Sequence, residues 1–331
     1  MRVPKFLFAA CVALPGLLFG GYWLAGSTAV DRGVSGLIDT LRLQGWSVSY
    51  DQIRTAGFPA RFDTLLVDVA IADPSGLFGW RGADLRVYAP SYWPTAITAI
   101  LPDSQTLILP DQHLVLNSTD MGGRFSVHPS TALPVAEITL QSQALRVVSD
   151  QGWDLALDRF SANFTDTETD PLHYDLRAEV TGIALPAALL GQLNPDRHLP
   201  AVVDHLQLDL GLSFDRPLDR YAGQGAGPQL QSLILRQFEI VWGDVSLSAS
   251  GDMTIDPTGA PEGKITVIGT NWQQLFAMAV GMGLLSAEVA PSWERGVAAL
   301  AQGSTQIKAP ISFENGFMSL GPIPLGPAPR F

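Results

Sequence analysis

Cysteine is almost missing from this chain: its 331 residues hold one, Cys11. A lone thiol forms no internal disulfide and no thiolate metal site, so a disulfide-stapled secreted module is excluded. Lysine is nearly as scarce, confined to Lys5, Lys264 and Lys308, within a net charge of −12. Without Arg2 and Lys5 that balance becomes −14, which repels nucleic acid and anionic headgroups. Catalytic signatures are missing too. There is no Gly-x-Ser-x-Gly elbow, no Walker A loop and no zinc-protease helix. The five histidines, His113, His128, His173, His198 and His205, never stand at the spacing that puts two on one metal from a single helix. Asp204 and His205 are neighbours that point to opposite strand faces, the wrong geometry for a proton relay. Gly223-x-Gly-x-Gly227 is followed by Pro228 and a strand rather than a helix N-terminus, so it reads as a linker and not a phosphate cradle. The residues therefore assign no catalytic, cofactor-binding, metal or ligand-binding position, and the chain is expected not to be an enzyme.

Charge is absent from one stretch in particular. From Phe6 to Ala25 the chain reads FLFAACVALPGLLFGGYWLA, twenty residues, with Arg2 and Lys5 before it and Asp31 after it. As a helix this run is long enough to cross the ~30 Å hydrocarbon core of a bilayer. The basic flank would hold its N-terminal side in the cytoplasm, and Tyr22 and Trp23 would lie at the outer interface. A cleaved signal peptide is the alternative, but its apolar core spans only ~7–15 residues and ends in a small-x-small site. Ser27-Thr28-Ala29 follows the run only loosely. Residues 1–30 are thus expected to be a signal-anchor, and 31–331 a β-rich domain in the periplasm of a bacterium, single-pass in the inner membrane. A cysteine-free exported part suits that compartment.

Past the anchor, Val34, Leu37, Ile38 and Leu41 recur at helical spacing, ended by Gly45. Period-two alternation then dominates. Leu172, Tyr174, Leu176, Ala178 and Val180 alternate with His173, Asp175, Arg177 and Glu179. Leu206 to Phe214 and Val245 to Ile255 repeat the pattern, as expected of antiparallel strands with one wet face. Two segments change phase midway: Leu155 and Leu157 to Phe160 and Ala162, and Leu233 and Leu235 to Phe238 and Ile240. One extra residue flips every later side chain, so both predict a bulge and a bent strand. Turns are expected at Asp150-Gln-Gly152, Asp170-Pro171, Asp256-Pro-Thr-Gly259 and Glu314-Asn-Gly316, and a lobe boundary at 222–228. Asn271 is placed to cap an apolar helix running towards Leu285, and Ser292 a second one. The fold class is mainly β (α+β): a long curved antiparallel sheet with a few packed helices behind one transmembrane helix.

Four ordered segments also carry a likeness. They are Gly26-Ser-Thr-Ala-Val30 with Gly45-Trp46, Gly57-Phe-Pro-Ala-Arg-Phe-Asp63, Tyr88-Ala-Pro-Ser-Tyr-Trp-Pro94, and Gly321-Pro-Ile-Pro-Leu-Gly-Pro-Ala-Pro329. Over essentially the whole chain this resembles the bacterial family known as domain of unknown function 2125, typical of alphaproteobacteria. The Gly-Phe-Pro-x-Arg turn and the glycine–proline tail are similar to the wider AsmA-like group. That resemblance implies an inner-membrane anchor, curved periplasmic β-sheet and a part in phospholipid traffic or outer-membrane maintenance. It brings no catalytic residue and no cofactor. Arg61 itself is read as pairing with an acidic neighbour rather than with a lipid phosphate. The expected partners are the inner membrane, a lipid ligand and envelope proteins, with no nucleic acid. The rival role is an envelope scaffold that recruits proteins through its sheet edges.

Overall fold

The computed structural model describes residues 33–330 apart from 34, 37, 58–60, 94, 168, 196, 223–226, 284, 286, 287 and 289. The apolar run Phe6–Ala25, with Cys11, lies outside the described residues, as do Val34, Leu37 and Phe58. Among the described residues no helix is long and apolar enough to cross a membrane. Among the described residues seventeen strands carry the fold and pair antiparallel, with a few short helices. Contacts divide the chain into two compact units, 1–126 and 127–331. The glycine-rich segment 222–228 falls within the second.

In the first unit, helical residues 38–43 (α1) precede β1 (Ser47–Ser49), β2 (Gln52–Ala56), β3 (Arg61–Ala72), β4 (Gly79–Pro90), β5 (Ala96–Ile100), β6 (Ser104–Ile108) and β7 (His113–Val127). Gly45 ends α1 at φ 90°, a conformation that costs glycine little, and Ile38 is 5% exposed. The long hairpin β3–β4 is the spine: Arg61 faces Pro90 at one end and Ala72 faces Gly79 at the other. β1 and β2 both pair with β3. Arg61 finds the acidic neighbour expected of it, with its Nε 2.8 Å from Asp63 Oδ2, and its guanidinium lies over the Tyr88 ring at 5.6 Å.

The second unit is a ten-stranded meander in which each strand pairs with the next. Its strands are β8 (Val135–Ser149), β9 (Asp154–Thr167), β10 (Asp170–Ala184), β11 (Val202–Phe214), β12 (Leu230–Trp242), β13 (Val245–Ile255), β14 (Pro261–Thr270), β15 (Gln306–Glu314), β16 (Phe317–Leu320) and β17 (Ile323–Pro327). Helix α2 (Ala187–Leu193) follows β10, while α3 (Trp272–Gly281) and α4 (Ala290–Ala301) separate β14 from β15. Three of the four predicted turns form, whereas Asp170 and Pro171 open β10, with Asp170 paired to Thr167. Asp256 Oδ1 accepts from the N–H groups of Thr258 and Ala260, at 2.7 and 2.9 Å. Asn315 and Gly316 take φ 54° and 77°, the pair of left-handed residues that a two-residue hairpin requires.

The two phase changes differ in form. At β12 the register slips by one residue against both neighbours, between Asp209 and Leu210 on β11 and between Leu235 and Phe238 against β13. This is the expected bulge, and Arg236 is its extra residue. At β9 the ladders to β8 and β10 keep their register through Asp158. Ala144 and Gly182, which stand opposite Asp158 on the two sides, take φ 48° and 65° instead. No residue is inserted in β9, so the expected bulge is absent there, and the backbone irregularity lies in its neighbours β8 and β10.

Two helix starts also differ from expectation. Asn271 precedes α3 but has φ 54° and makes no capping bond; its amide donates to the Asp244 carbonyl at 2.7 Å. Helix α4 begins at Ala290, so Ser292 lies inside it, and α3 stops at Gly281, short of Leu285.

Candidate functional site

Two small packed clusters flank the helices of the second unit. Leu199, Val203, Trp242 and Val245 form one, with Leu190 and Leu193 of α2 and Leu275 and Met278 of α3 against it. Buried Asn194 fixes the loop that delivers Leu199, donating to its carbonyl at 2.8 Å and accepting from its N–H at 3.2 Å. Trp272, Val297 and Ala301 form the other cluster, with Phe276 and Ile307. Gly269 on β14 permits a close approach by α3, since a Cβ there would stand 2.8 Å from Leu275 Cδ1.

Between these clusters the sheet face and the helices do not fill the space. A cavity of about 700 Å³ remains, walled by strands β10 to β17 and by α3 and α4. Leu206, Ile240, Leu247, Val267, Ile307 and Ile311 form its floor, and Leu275, Phe276, Ala279, Met282 and Trp293 come from the helical side. None of its lining residues is charged, and nearly all are aliphatic or aromatic. Two of its three indoles are already engaged: Trp242 Nε1 donates to Pro200 O at 2.8 Å and Trp272 Nε1 to Ser304 O at 3.2 Å. Most lining side chains are only half-buried, and Met282, 48% exposed, stands at the rim. Among the described residues that line the cavity there is no acid, base or nucleophile. What it can do chemically is exclude water from hydrocarbon.

The opposite face of β10 to β12 is polar, as the alternation requires. Bulged Arg236 donates to Asp175 Oδ1 at 2.6 Å, Asp209 Oδ1 at 2.7 Å and the Leu210 carbonyl at 3.0 Å. Partial burial works against its charge, but the bonds and charges of the two carboxylates outweigh that and raise its pKa above the ordinary arginine value. Arg177 Nε reaches Asp209 Oδ2 at 3.3 Å. His173 bonds Ser213 at 2.8 Å, and His205 lies 3.8 Å from Glu239. Asp204 is directed elsewhere, accepting from the Gly243 N–H at 2.7 Å, so it forms no relay with His205. His128 pairs with Asp166 at 2.6 Å and His198 is exposed. Among the described residues no three metal-ligating side chains converge.

An antiparallel meander whose helices leave an apolar, open-sided cavity beside the sheet defines the second unit of a mainly β protein. The chain belongs to the family of uncharacterized proteins conserved in bacteria designated DUF2125, whose model matches residues 23–329. No curated protein and no solved structure matches it.

Proposed function

We propose that this protein is a non-enzymatic component of the bacterial envelope, tethered to the inner membrane by residues 1–30, whose periplasmic part takes up lipid hydrocarbon. The cavity carries the reading. Protein interiors close-pack to ~0.75 of their volume, so an apolar hollow of about 700 Å³ is too large to be a packing defect. Its size lies within the ~300–1,000 Å³ typical of small-molecule sites. Each methylene moved from water into it contributes ~0.8 kcal/mol, so a chain of eight buried methylenes gains roughly 6 kcal/mol. The family's bacterial membership and the charge-free run behind Arg2 and Lys5 support the location. The rival scaffold role needs an open strand edge. β17, which pairs with β16, carries Pro324 and Pro327, and proline offers no N–H to a docking strand.

Lipid extraction and mass spectrometry on residues 31–331, exported to a bacterial periplasm, test the proposal. Stoichiometric phospholipid or another acyl lipid is expected, and it should be lost when Leu247→Trp and Ala279→Trp fill the hollow. A folded, lipid-free wild-type fragment would overturn it.

A further inference from the structure

A second apolar feature lies in the first unit, at one end of the β3–β4 hairpin. The turn joining these strands, Asp73-Pro-Ser-Gly-Leu-Phe78, is held rigidly. Asp73 Oδ1 accepts from the Phe78 N–H at 2.6 Å, and Oδ2 accepts from the Ser75 N–H at 3.0 Å and from the Ser75 hydroxyl. The Asp73 N–H donates to the Phe78 carbonyl at 2.9 Å. The Ser75 hydroxyl bond and the Phe78 N–H hold the Asp73 carboxyl below its ordinary range, so the turn stays pinned at neutral pH. Yet this turn presents Leu77 at 63% exposure and Phe78 at 39%. Other hairpin turns of the protein end in polar residues and glycine, as at Asp150-Gln-Gly152, Gly243-Asp244 and Asn315-Gly316. A rigid loop with two adjacent large apolar side chains in water is costly unless something covers them.

The end of α1 arrives at the same place. β1 pairs Ser47 with Ala72, beside the turn, and a Cβ on Gly45 would lie 3.2 Å from Pro74 Cβ. Leu43, in the last turn of α1, is 89% exposed. In sequence, the twenty-residue apolar run stops at Ala25, thirteen positions before Ile38 of α1. Thirteen residues reach at most ~45 Å even when fully extended. The opposite end of the hairpin, ~40 Å away by strand rise, carries the exposed Tyr92 and Trp93, and seating that end on the bilayer would need the thirteen-residue link nearly fully extended.

We infer that Leu43, Leu77 and Phe78 form a membrane-docking tip that seats in the outer interface of the bilayer holding the anchor, a step that rests on the anchor reading above. Arg42, beside Leu43, has a side chain 46% exposed and pairs with Asp39 at 3.6 Å, so the seating is apolar at its centre with an ion pair at its edge.

Full-length chain carrying Cys11→Ser, with a single cysteine from Leu77→Cys or Tyr92→Cys, is labelled with an environment-sensitive nitrobenzoxadiazole dye. It is then placed in phosphatidylethanolamine–phosphatidylglycerol nanodiscs. The expected result is a blue-shifted dye at position 77, quenched at least twofold by doxyl-labelled lipid, and a water-like dye at position 92. A chain that co-elutes with the discs yet shows water at 77, or lipid at 92 alone, overturns the docking and leaves the anchor standing. A chain that does not co-elute overturns both.

Discussion

The apolar face of the second unit is packed at one end and hollow at the other, though the same strands build both. Near the start of β10, Tyr174 is fully buried, stacked on Phe164 at 4.9 Å and edge-on to Phe214 at 5.9 Å. The Tyr174 hydroxyl accepts the Leu218 N–H at 3.2 Å, tying a loop over the rings. Nine residues further along β10, past left-handed Gly182, Ile183 joins the wall of the cavity instead. The alternation is equally regular at both ends. What differs is the cover: aromatic rings with two or three neighbours close the first, whereas short helices resting on two clusters bridge the second. Hollowness here follows from how the roof is supported and not from the strands beneath it.

Truncation should separate the two ends most clearly. Tyr174→Ala is expected to cost about 3–5 kcal/mol, the range for removing a fully buried aromatic ring. Leu247→Ala, on the cavity floor, should cost about 1–2 kcal/mol, because its neighbours already face open space. Urea unfolding of both variants checks this, and equal losses would mean that the hollow is packed as tightly as the ring cluster. On the polar face, Arg236→Ala leaves Asp175 and Asp209 together without their shared donor. With Arg236 about one-third exposed, solvent screening limits the expected loss to about 1–2 kcal/mol, and it should shrink in 1 M salt. A loss independent of salt would mean that the bulge itself, rather than its charge, needs arginine.

The smallest effect is a titration. Burial raises the Tyr174 pKa above the ordinary value of 10.0, against the lowering pull of the Leu218 N–H, so the folded state favours the neutral phenol. Its contribution is therefore complete below pH 10 and lost as pH climbs from there through the raised folded value. Tyr174→Phe should flatten the stability–pH curve in that alkaline window while costing about 1 kcal/mol at neutral pH for the lost hydrogen bond. An unchanged alkaline slope would show that another group is responsible.

Much of this architecture is legible in the residues. The alternation of Leu206 to Phe214 places Leu206 in the hollow and Gln207 and Asp209 on the wet side, and the phase change after Leu235 marks the bulge at Arg236. The change after Leu157 carries the same signature without an inserted residue, and left-handed Ala144 and Gly182 stand opposite it on the neighbouring strands. Asn271 suits a cap by type, yet its amide is drawn to the Asp244 carbonyl on a neighbouring hairpin, which no local pattern records. The cavity was legible only as a set of apolar positions. Whether such positions meet in a core or surround a space depends on where α3 ends and how closely Gly269 lets it approach. The exposed pair Leu77–Phe78 carries a usable signal, two apolar residues placed directly after the turn-forming Asp73-Pro-Ser-Gly76, that alternation-based reading passes over.

The strand order of the second unit has a consequence for how the protein is made. From β8 to β17 each strand lies beside the one that precedes it in the chain, so every new hairpin has its template waiting. A polypeptide that emerges from its N-terminus during synthesis can thus assemble one ribbon at a time. It need not hold an early strand unpaired until a distant partner appears, which keeps the aggregation-prone interval short.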